Sequence, residues 1–467
     1  MTDPRDDLDT WLAAQVRPLP PPPGTFELIR KRARRRKMTR AVATAATAAA
    51  VIAVIATVPR LVISQLNVGP GPVPSGAQAG ETSPAGTHRH HQTAPATPSV
   101  TPASTPPAST PPAAPPNFAA TSVTFVGPGT GYVLGQAGSP GHCTGPDPRI
   151  CTSLAGTTDT GRTWHGVPAP VTGPPAGPAG VSQVRFFDTS DGWAFGPQLW
   201  ATHDGGHTWR QVSTGGRRVL ALEAAGQRAF AVWAQCTGHG ADFAAGCTAA
   251  GLQEAAPGSD HWAPVGGAGT SFSMSGSAGS AALVLTGRRG YLLPPDGVLL
   301  SGPVTSRASW APVTGSPAPC LPGATQADGQ PSAALLATST LSAARPGLVL
   351  VCAGQAAGGS QRKTVYTSAD GGQTWQQPGQ APAAGAATSV AGTPTGTIVL
   401  ATTQGLDVSA DGGTTWTAAR GVLPPGGFSY VGMTEPKQGV AVPADPGVHA
   451  VWFTHDGGAS WQKSPIS

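Results

Sequence analysis

One eight-residue pattern recurs five times after residue 117 and constrains the fold more than any other feature of the chain. It reads [ST]-x-D-x-G-x-[ST]-W. Its copies contain Asp159, Gly161 and Trp164; Asp204, Gly206 and Trp209; Asp370, Gly372 and Trp375; Asp411, Gly413 and Trp416; and Asp456, Gly458 and Trp461. Gly accepts the positive φ of a tight turn, and Asp and Ser/Thr side chains bond to turn backbone. We therefore predict that these Asp residues are structural and that each Trp packs against a neighbouring unit.

Two further tryptophans extend the series after the Asp or Gly has been lost. Trp262 and Trp310 are both followed by Ala-Pro-Val, so their exit strands look alike. The seven tryptophans are 41 to 65 residues apart, a period typical of four-stranded propeller blades. We predict an all-β fold, a single seven-bladed β-propeller over residues 118–467. We also expect the ring to close by pairing the first strand, near Ser122, with the last strand, after Trp461.

These octapeptides resemble the Asp-box, or BNR, repeat of sialidase-like and sortilin-like propellers, plant-cell-wall endoglucanases and photosystem assembly factors. The resemblance covers residues 118–467 and implies a propeller with Asp-box turns. It implies no particular activity, because function in this group resides elsewhere on the blades.

Composition and charge exclude several classes of protein. With 64 Gly and 50 Pro among 467 residues, a mainly helical core, a Rossmann fold or a TIM barrel is disfavoured. Residues 1–40 carry ten Lys/Arg against five Asp/Glu, which leaves 18 of each sign in residues 41–467. A neutral body cannot neutralise phosphates, so we expect no nucleic-acid partner. High Ala, Gly, Pro and Thr with few Lys is typical of a GC-rich actinobacterium.

A cationic block next to an apolar run predicts one membrane span. The block comprises Arg30, Lys31, Arg32, Arg34, Arg35, Arg36, Lys37 and Arg40, and no charge follows until Arg60. Residues 41–63 then form a transmembrane helix, with the tail 1–40 in the cytoplasm and the rest outside the cell membrane. A cleaved signal peptide is the alternative, although 40 residues are long for its first region.

The segments on either side of the predicted span have different compositions. In the tail, residues 6–16 predict a short amphipathic helix, either a docking site for a cytoplasmic partner or a solvated segment. Residues 64–117 are rich in Pro, Thr, Ser and Ala and predict a disordered linker, because they offer almost no apolar side chain to a core.

All six cysteines follow the predicted span, as expected of disulfides in an exported domain. Proximity favours Cys143 with Cys151, Cys236 with Cys247, and Cys320 with Cys352, among fifteen possible connectivities. A zinc site is the rival, but the chain has no C-x-x-C pair. We expect no metal and no cofactor.

Catalytic signals are weak. The resemblance to sialidases would imply an Arg triad, a Tyr nucleophile with a Glu base, and an Asp acid. Tyr430 with Glu435 is a candidate pair, and the candidate arginines are Arg149, Arg185, Arg228 and Arg288. The family's Arg-Ile-Pro motif is here Arg149-Ile150-Cys151, and Glu435 lies in a Thr-Glu-Pro-Lys turn.

The sequence therefore favours a membrane-tethered extracytoplasmic binding module for a protein, peptide or glycan, with no assigned catalytic residue. A divergent sialidase-like exo-glycosidase is the first alternative. A single-span signalling or assembly factor is the second.

Overall fold

The computed structural model describes residues 111–137, 151–173, 179–237, 246–274, 281–286, 288–295, 298–305, 309–315, 318–320, 333–342, 345–393 and 395–466. The predicted tail, the predicted membrane helix and most of the predicted linker lie outside these residues. Within them, no helix has the length and apolar character that crossing a bilayer would require.

The described residues form seven antiparallel sheets, each built from consecutive strands, and thus a seven-bladed all-β propeller. Blade 1 comprises β1 (Ala119–Phe125), β2 (Gly131–Ala137), β3 (Cys151–Thr157) and β4 (His165–Val167). Blade 2 comprises β5 (Gln183–Phe186), β6 (Gly192–Phe195), β7 (Leu199–Thr202) and β8 (Arg210–Gln211). Blade 3 comprises β9 (Arg218–Ala225), β10 (Arg228–Cys236), β11 (Cys247–Ala255), β12 (Ala263–Pro264) and β13 (Ser271–Ser273).

Blade 4 comprises β14 (Ala282–Leu285), β15 (Arg289–Leu293), β16 (Leu300–Pro303) and β17 (Ala311–Pro312). Blade 5 comprises β18 (Ala333–Ser342), β19 (Arg345–Ala357), β20 (Ser360–Ser368) and β21 (Gln376–Ala381). Blade 6 comprises β22 (Ala387–Gly392), β23 (Ile398–Thr402), β24 (Gly405–Ser409) and β25 (Thr417–Ala418). Blade 7 comprises β26 (Phe428–Met433), β27 (Gly439–Pro443), β28 (Ala450–Thr454) and β29 (Gln462–Pro465).

The order of strands within a blade follows their burial. First strands of neighbouring blades lie beside one another and form the inner ring, and those of blades 2, 6 and 7 are buried at every residue. The outermost strands are short, and both residues of β8 are exposed. The core lies between facing sheets, where Trp193, Trp310, Trp452 and Trp461 are among the largest fully buried side chains.

Ring closure differs from the prediction. β1 pairs with β2 and β29 pairs with β28, each inside its own blade, so the predicted pairing of the first strand with the last is wrong. Each blade is a complete meander of contiguous chain, which leaves no strand over to exchange. Side chains join blades 1 and 7 instead. Trp164 Nε1 donates to Ser464 Oγ at 3.0 Å, and Phe125 meets Phe453 edge-on at 5.7 Å.

The chain enters the propeller along the outer edge of blade 1. Gly166 N donates to Pro112 O at 2.8 Å, and Ala113 forms a β-bridge with His165 of β4. These contacts cover part of the open edge of β4, and Ala114 beside them is buried.

The five octapeptides form one turn with identical bonding, which we call the Asp turn. In the first copy Thr157 Oγ1 donates to Asp159 Oδ1 at 2.8 Å and accepts from Gly161 N at 2.9 Å. Thr163 donates its N–H to Oδ1 at 2.9 Å and its hydroxyl to Oδ2 at 2.6 Å. The same four bonds recur around Asp204, Asp370, Asp411 and Asp456.

These bonds set the charge state of the turn. Burial of Asp159 alone would raise its pKa, but hydrogen bonds from Thr163 and Thr157 lower that pKa to about 2. The pKa values of Asp204, Asp370 and Asp411 are also lowered to about 2, and that of Asp456 is lowered. Each carboxylate is therefore ionised at neutral pH and occupied by its own turn.

Candidate binding groove between blades 2 and 3

The residues considered for catalysis do not form an open site. Arg185 of β5 donates from Nε to Glu223 Oε1 of β9 at 2.7 Å, and Tyr430 of β26 is part of the same charge environment. All three are buried, with at most 4% of each residue exposed. Burial raises the pKa of Tyr430 to about 12, against the opposing effect of Arg185. The phenol is thus protonated and screened from solvent.

The remaining catalytic candidates lie elsewhere. Glu435 is exposed in the turn after β26, where its N–H donates to Gln438 O. Arg228 begins β10, and Arg288 is exposed just before β15. Arg149 lies outside the described residues. The ion-pair partner of Arg185 is Glu223, from the first strand of the neighbouring blade 3.

An open groove lies instead between the outer parts of blades 2 and 3, with a volume of about 760 Å³. One wall is β8 with the loop that leads to β9, and the other is the 258–262 turn after β11. A second groove of about 460 Å³ lies against the same loop. The residues from Gln211 to Gly215 and Arg217 line both. Gly215 and Gly216 have φ of 63° and 78°, a conformation that glycine adopts without strain.

Three tryptophans pack together beneath the larger groove. The ring of Trp262 lies 6.1 Å from that of Trp193 and 5.8 Å from that of Trp233, and both Trp233 and Trp262 line the groove. Their three indole nitrogens are buried and have no hydrogen-bond partner among the described residues. A buried donor without a partner carries a desolvation cost, so this apolar floor retains unsatisfied polar capacity.

Arg217 is held in a defined orientation over this floor. Its guanidinium carbon lies 5.0 Å from the ring centroid of Trp233, and its Nε donates to Thr214 O at 3.2 Å. Among the described residues no carboxylate forms an ion pair with Arg217. The two terminal nitrogens therefore form a positively charged fork without a counter-ion among the described residues.

A histidine links the two walls. His203 Nδ1 lies 2.6 Å from Asp191 Oδ1 of blade 2, and its Nε2 lies 3.2 Å from Asp260 Oδ1 of blade 3. Arg210 Nη1 also lies 3.8 Å from Asp260 Oδ2. Burial opposes protonation, but the hydrogen bonds to Asp191 and Asp260 raise the pKa of His203. These two bonds hold the 258–262 turn against blade 2.

Neither this cluster nor any other described group of three or more His, Cys, Asp or Glu is arranged to hold a metal ion. Both ring nitrogens of His203 face different carboxylates, so they converge on no common point.

Disulfides brace the neighbouring strands. Cys236 is bonded to Cys247 across the ends of β10 and β11, and Cys320 is bonded to Cys352 of β19. These are two of the three pairs that proximity favours. Cys143 lies outside the described residues, so its pairing with Cys151 stays a prediction.

Sequence reasoning did not predict this groove as a site. Arg217 and Trp233 occur in no motif, and His203 occupies a variable position of the second octapeptide. The signal nearest to the groove was the incomplete copy that ends at Trp262, in which Pro257 stands at the Asp position of the repeat and Asp260 lies two residues before the Trp.

Comparisons with known proteins give structural neighbours alone. No family model and no curated protein matches the chain. YCF48 from Cyanidioschyzon merolae is 14% identical, with a TM-score of 0.40 over 61% of this chain and 84% of that one. A structure of YCF48 bound to D1 peptide is 17% identical, with a TM-score of 0.39 over 60% and 79%. An α-L-arabinanase from Penicillium chrysogenum, complexed with arabinobiose, is 14% identical, with a TM-score of 0.37 over 72% and 93%. Similarity this low transfers neither a ligand nor an activity to this chain.

Proposed function

We propose that this chain is a membrane-tethered, extracytoplasmic β-propeller that binds its ligand in the groove between blades 2 and 3. The proposal rests chiefly on one observation. The groove combines about 760 Å³ of open volume with a tryptophan floor and a guanidinium that has no described counter-ion. Concave sites with an apolar floor and a few oriented polar groups are the usual form of binding sites.

The burial of Tyr430 with the Arg185–Glu223 pair supports binding over glycoside hydrolysis. A Tyr nucleophile must reach the substrate and be deprotonated by a nearby base. Tyr430 is 2% exposed, and its pKa is raised to about 12. Its nearest charged neighbours, Arg185 and Glu223, already form a buried pair with each other.

The proposed location has two supports of its own. The disulfides Cys236–Cys247 and Cys320–Cys352 are typical of an oxidising compartment outside the cytoplasm. The cationic block before residues 41–63 orients a span with the propeller outside. The five Asp turns fit the Asp-box class that the octapeptides resemble, and in that class they stabilise blades.

A groove-filling variant tests the proposal. Ser213 is exposed and lines both grooves, so Ser213→Trp should occupy the space without disturbing the core. Gln376→Trp is the matched control, because Gln376 is exposed at the corresponding outer strand of blade 5. The full chain would be probed against arrays of synthetic peptides and cell-surface glycans. We expect saturable binding that Ser213→Trp removes and Gln376→Trp retains.

A fluorogenic sialoside assay on the full chain tests the rival function. We expect no turnover. Turnover that Tyr430→Phe abolishes would overturn the binding proposal, as would ligand binding that Ser213→Trp leaves unchanged.

A further inference from the structure

We propose that the ligand of this groove is an acidic polypeptide segment, one of whose carboxylates is bound by Arg217. This inference rests on the proposed function and adds the chemistry of the ligand to it.

The side chain of Arg217 is already oriented before a ligand binds. Stacking on Trp233 and the Nε bond to Thr214 O restrict its side chain, so little ordering remains to be done on binding. The guanidinium is half-buried and has no ion-pair partner among the described residues. A planar fork in this position matches the two oxygens of a carboxylate.

The walls around Arg217 carry more positive than negative charge. Asp260 is the one carboxylate in the groove lining, and His203 and Arg210 already contact it. Arg210 has 84% of its side chain exposed and extends the positive surface. The described lining therefore carries excess positive charge around Arg217, which complements a ligand with several carboxylates.

The covered tryptophan rings and the polar wall favour a peptide over an acidic glycan. Sugar rings stack on open aromatic faces, whereas Arg217 covers the ring of Trp233 and the ring of Trp262 packs against two other tryptophans. The wall offers an amide group from Gln211 of the exposed outer strand β8 and hydroxyl groups from Ser213 and Thr214 of the loop that follows it. Such groups suit the regularly spaced N–H and C=O groups of an extended peptide.

The two adjoining grooves can accommodate an extended ligand. Arg217 lines both grooves, which lie on either side of one loop and have volumes of about 460 and 760 Å³. A chain passing over Arg217 can therefore contact both, and one carboxylate would sit at the shared residue.

The test uses the full chain and three probes in a fluorescence anisotropy titration. The first is a ten-residue peptide of alternating Glu and Ser, the second its Gln and Ser counterpart, and the third an oligogalacturonate of similar charge. We expect the Glu peptide to bind about ten- to a hundredfold more tightly than the Gln peptide. Its affinity should fall as salt rises.

Variants of Arg217 test its proposed contact with a carboxylate of the ligand. Arg217→Gln should remove the preference for Glu over Gln, and Arg217→Lys should restore part of it, because lysine keeps the charge and loses the fork. Arg162→Gln, at an exposed arginine of the first Asp turn, is the matched control and should leave the preference intact. Thermal unfolding of each variant checks that the propeller remains folded.

Four outcomes would overturn the inference: absence of saturable binding of the Glu peptide, equal affinity for the Glu and Gln peptides, an unchanged preference in Arg217→Gln, or tighter binding of the oligogalacturonate than of the Glu peptide. If a neutral peptide or a glycan binds and Ser213→Trp removes that binding, the groove remains the binding site and the ligand chemistry alone is wrong. If Ser213→Trp has no effect on any ligand, the proposed function fails as well.

Discussion

The five Asp turns and the 258–262 turn of blade 3 all precede the tryptophan that leads into the outermost strand, but their carboxylates come from different positions. The Asp of a complete copy lies five residues before its Trp, whereas Asp260 lies two residues before Trp262. Asp159 accepts bonds from Thr157 and Thr163 within its own turn. Asp260 accepts none from its own turn among the described residues, and instead contacts His203 and Arg210 of the neighbouring blade. A complete copy of the repeat uses its Asp to stabilise its own turn, whereas Asp260 in the incomplete copy of blade 3 bonds to blade 2. The candidate groove lies beside the incomplete copy.

The largest expected effect concerns the tryptophan, which complete and incomplete copies share. Trp310 belongs to the incomplete copy of blade 4 and is fully buried, and a side chain on Gly290 or Gly302 would collide with its ring. Trp310→Ala should lower the free energy of unfolding by about 3–5 kcal/mol, because it leaves a cavity. Urea unfolding measures this, with the half-exposed Trp200→Ala as the control. A loss no larger than that of the control would mean that the tryptophan does not hold incomplete blades.

The second prediction separates the two kinds of Asp directly. Asp159→Ala removes an acceptor of four short bonds and should cost about 2–3 kcal/mol of unfolding free energy. Asp260→Ala breaks partly exposed ion pairs between blades and should cost less than about 1 kcal/mol. Comparing both variants in the same urea titration tests the difference. Equal losses would contradict it.

The third prediction is that the protein loses thermal stability at low pH as the Asp turns become protonated. Folded pKa values near 2 lie below the unfolded value of 3.8, so the Asp turns contribute stability above about pH 4. This contribution is lost as pH falls through about 2. We expect the melting temperature to fall steeply over that interval, and Asp159→Asn to make the fall shallower than in the unsubstituted protein. Calorimetry at a series of pH values measures the slopes.

The smallest expected effect concerns the bridge between blades 2 and 3. The pKa of His203 is raised in the folded protein, so its contribution to stability is complete below pH 6.5 and disappears as pH rises through the raised value. The side chain is 38% exposed, and solvent screening keeps the effect modest. His203→Gln should therefore lower the melting temperature more at pH 5.5 than at pH 9. His455→Gln, at the same position of the fifth copy and also at an exposed histidine, is the matched control.

Sequence reasoning predicted the propeller well because its evidence is local and repeated. An octapeptide with Asp-Gly or Asp-x-Gly specifies its own turn, and seven tryptophans at a regular period specify seven blades. The closure prediction was wrong because strand exchange between the first and last blades depends on which strand lacks a partner, and each blade here completes its own sheet. The groove was missed because Arg217, Trp233 and Asp260 come from different strands and loops, and no spacing in the chain marks their meeting.

By itself, the sequence predicted the number of blades and the chemistry of their turns, and proximity in the chain favoured the two disulfides that the described residues contain. These depend on contacts between residues close in the chain, where backbone geometry leaves few choices. Only the tertiary structure decided that Arg185, Glu223 and Tyr430 are buried together. It also decided that Arg217 lies over Trp233 and has no counter-ion among the described residues. Burial and charge pairing are properties of the space between blades, because they depend on which side chains the closed ring brings together from distant parts of the chain.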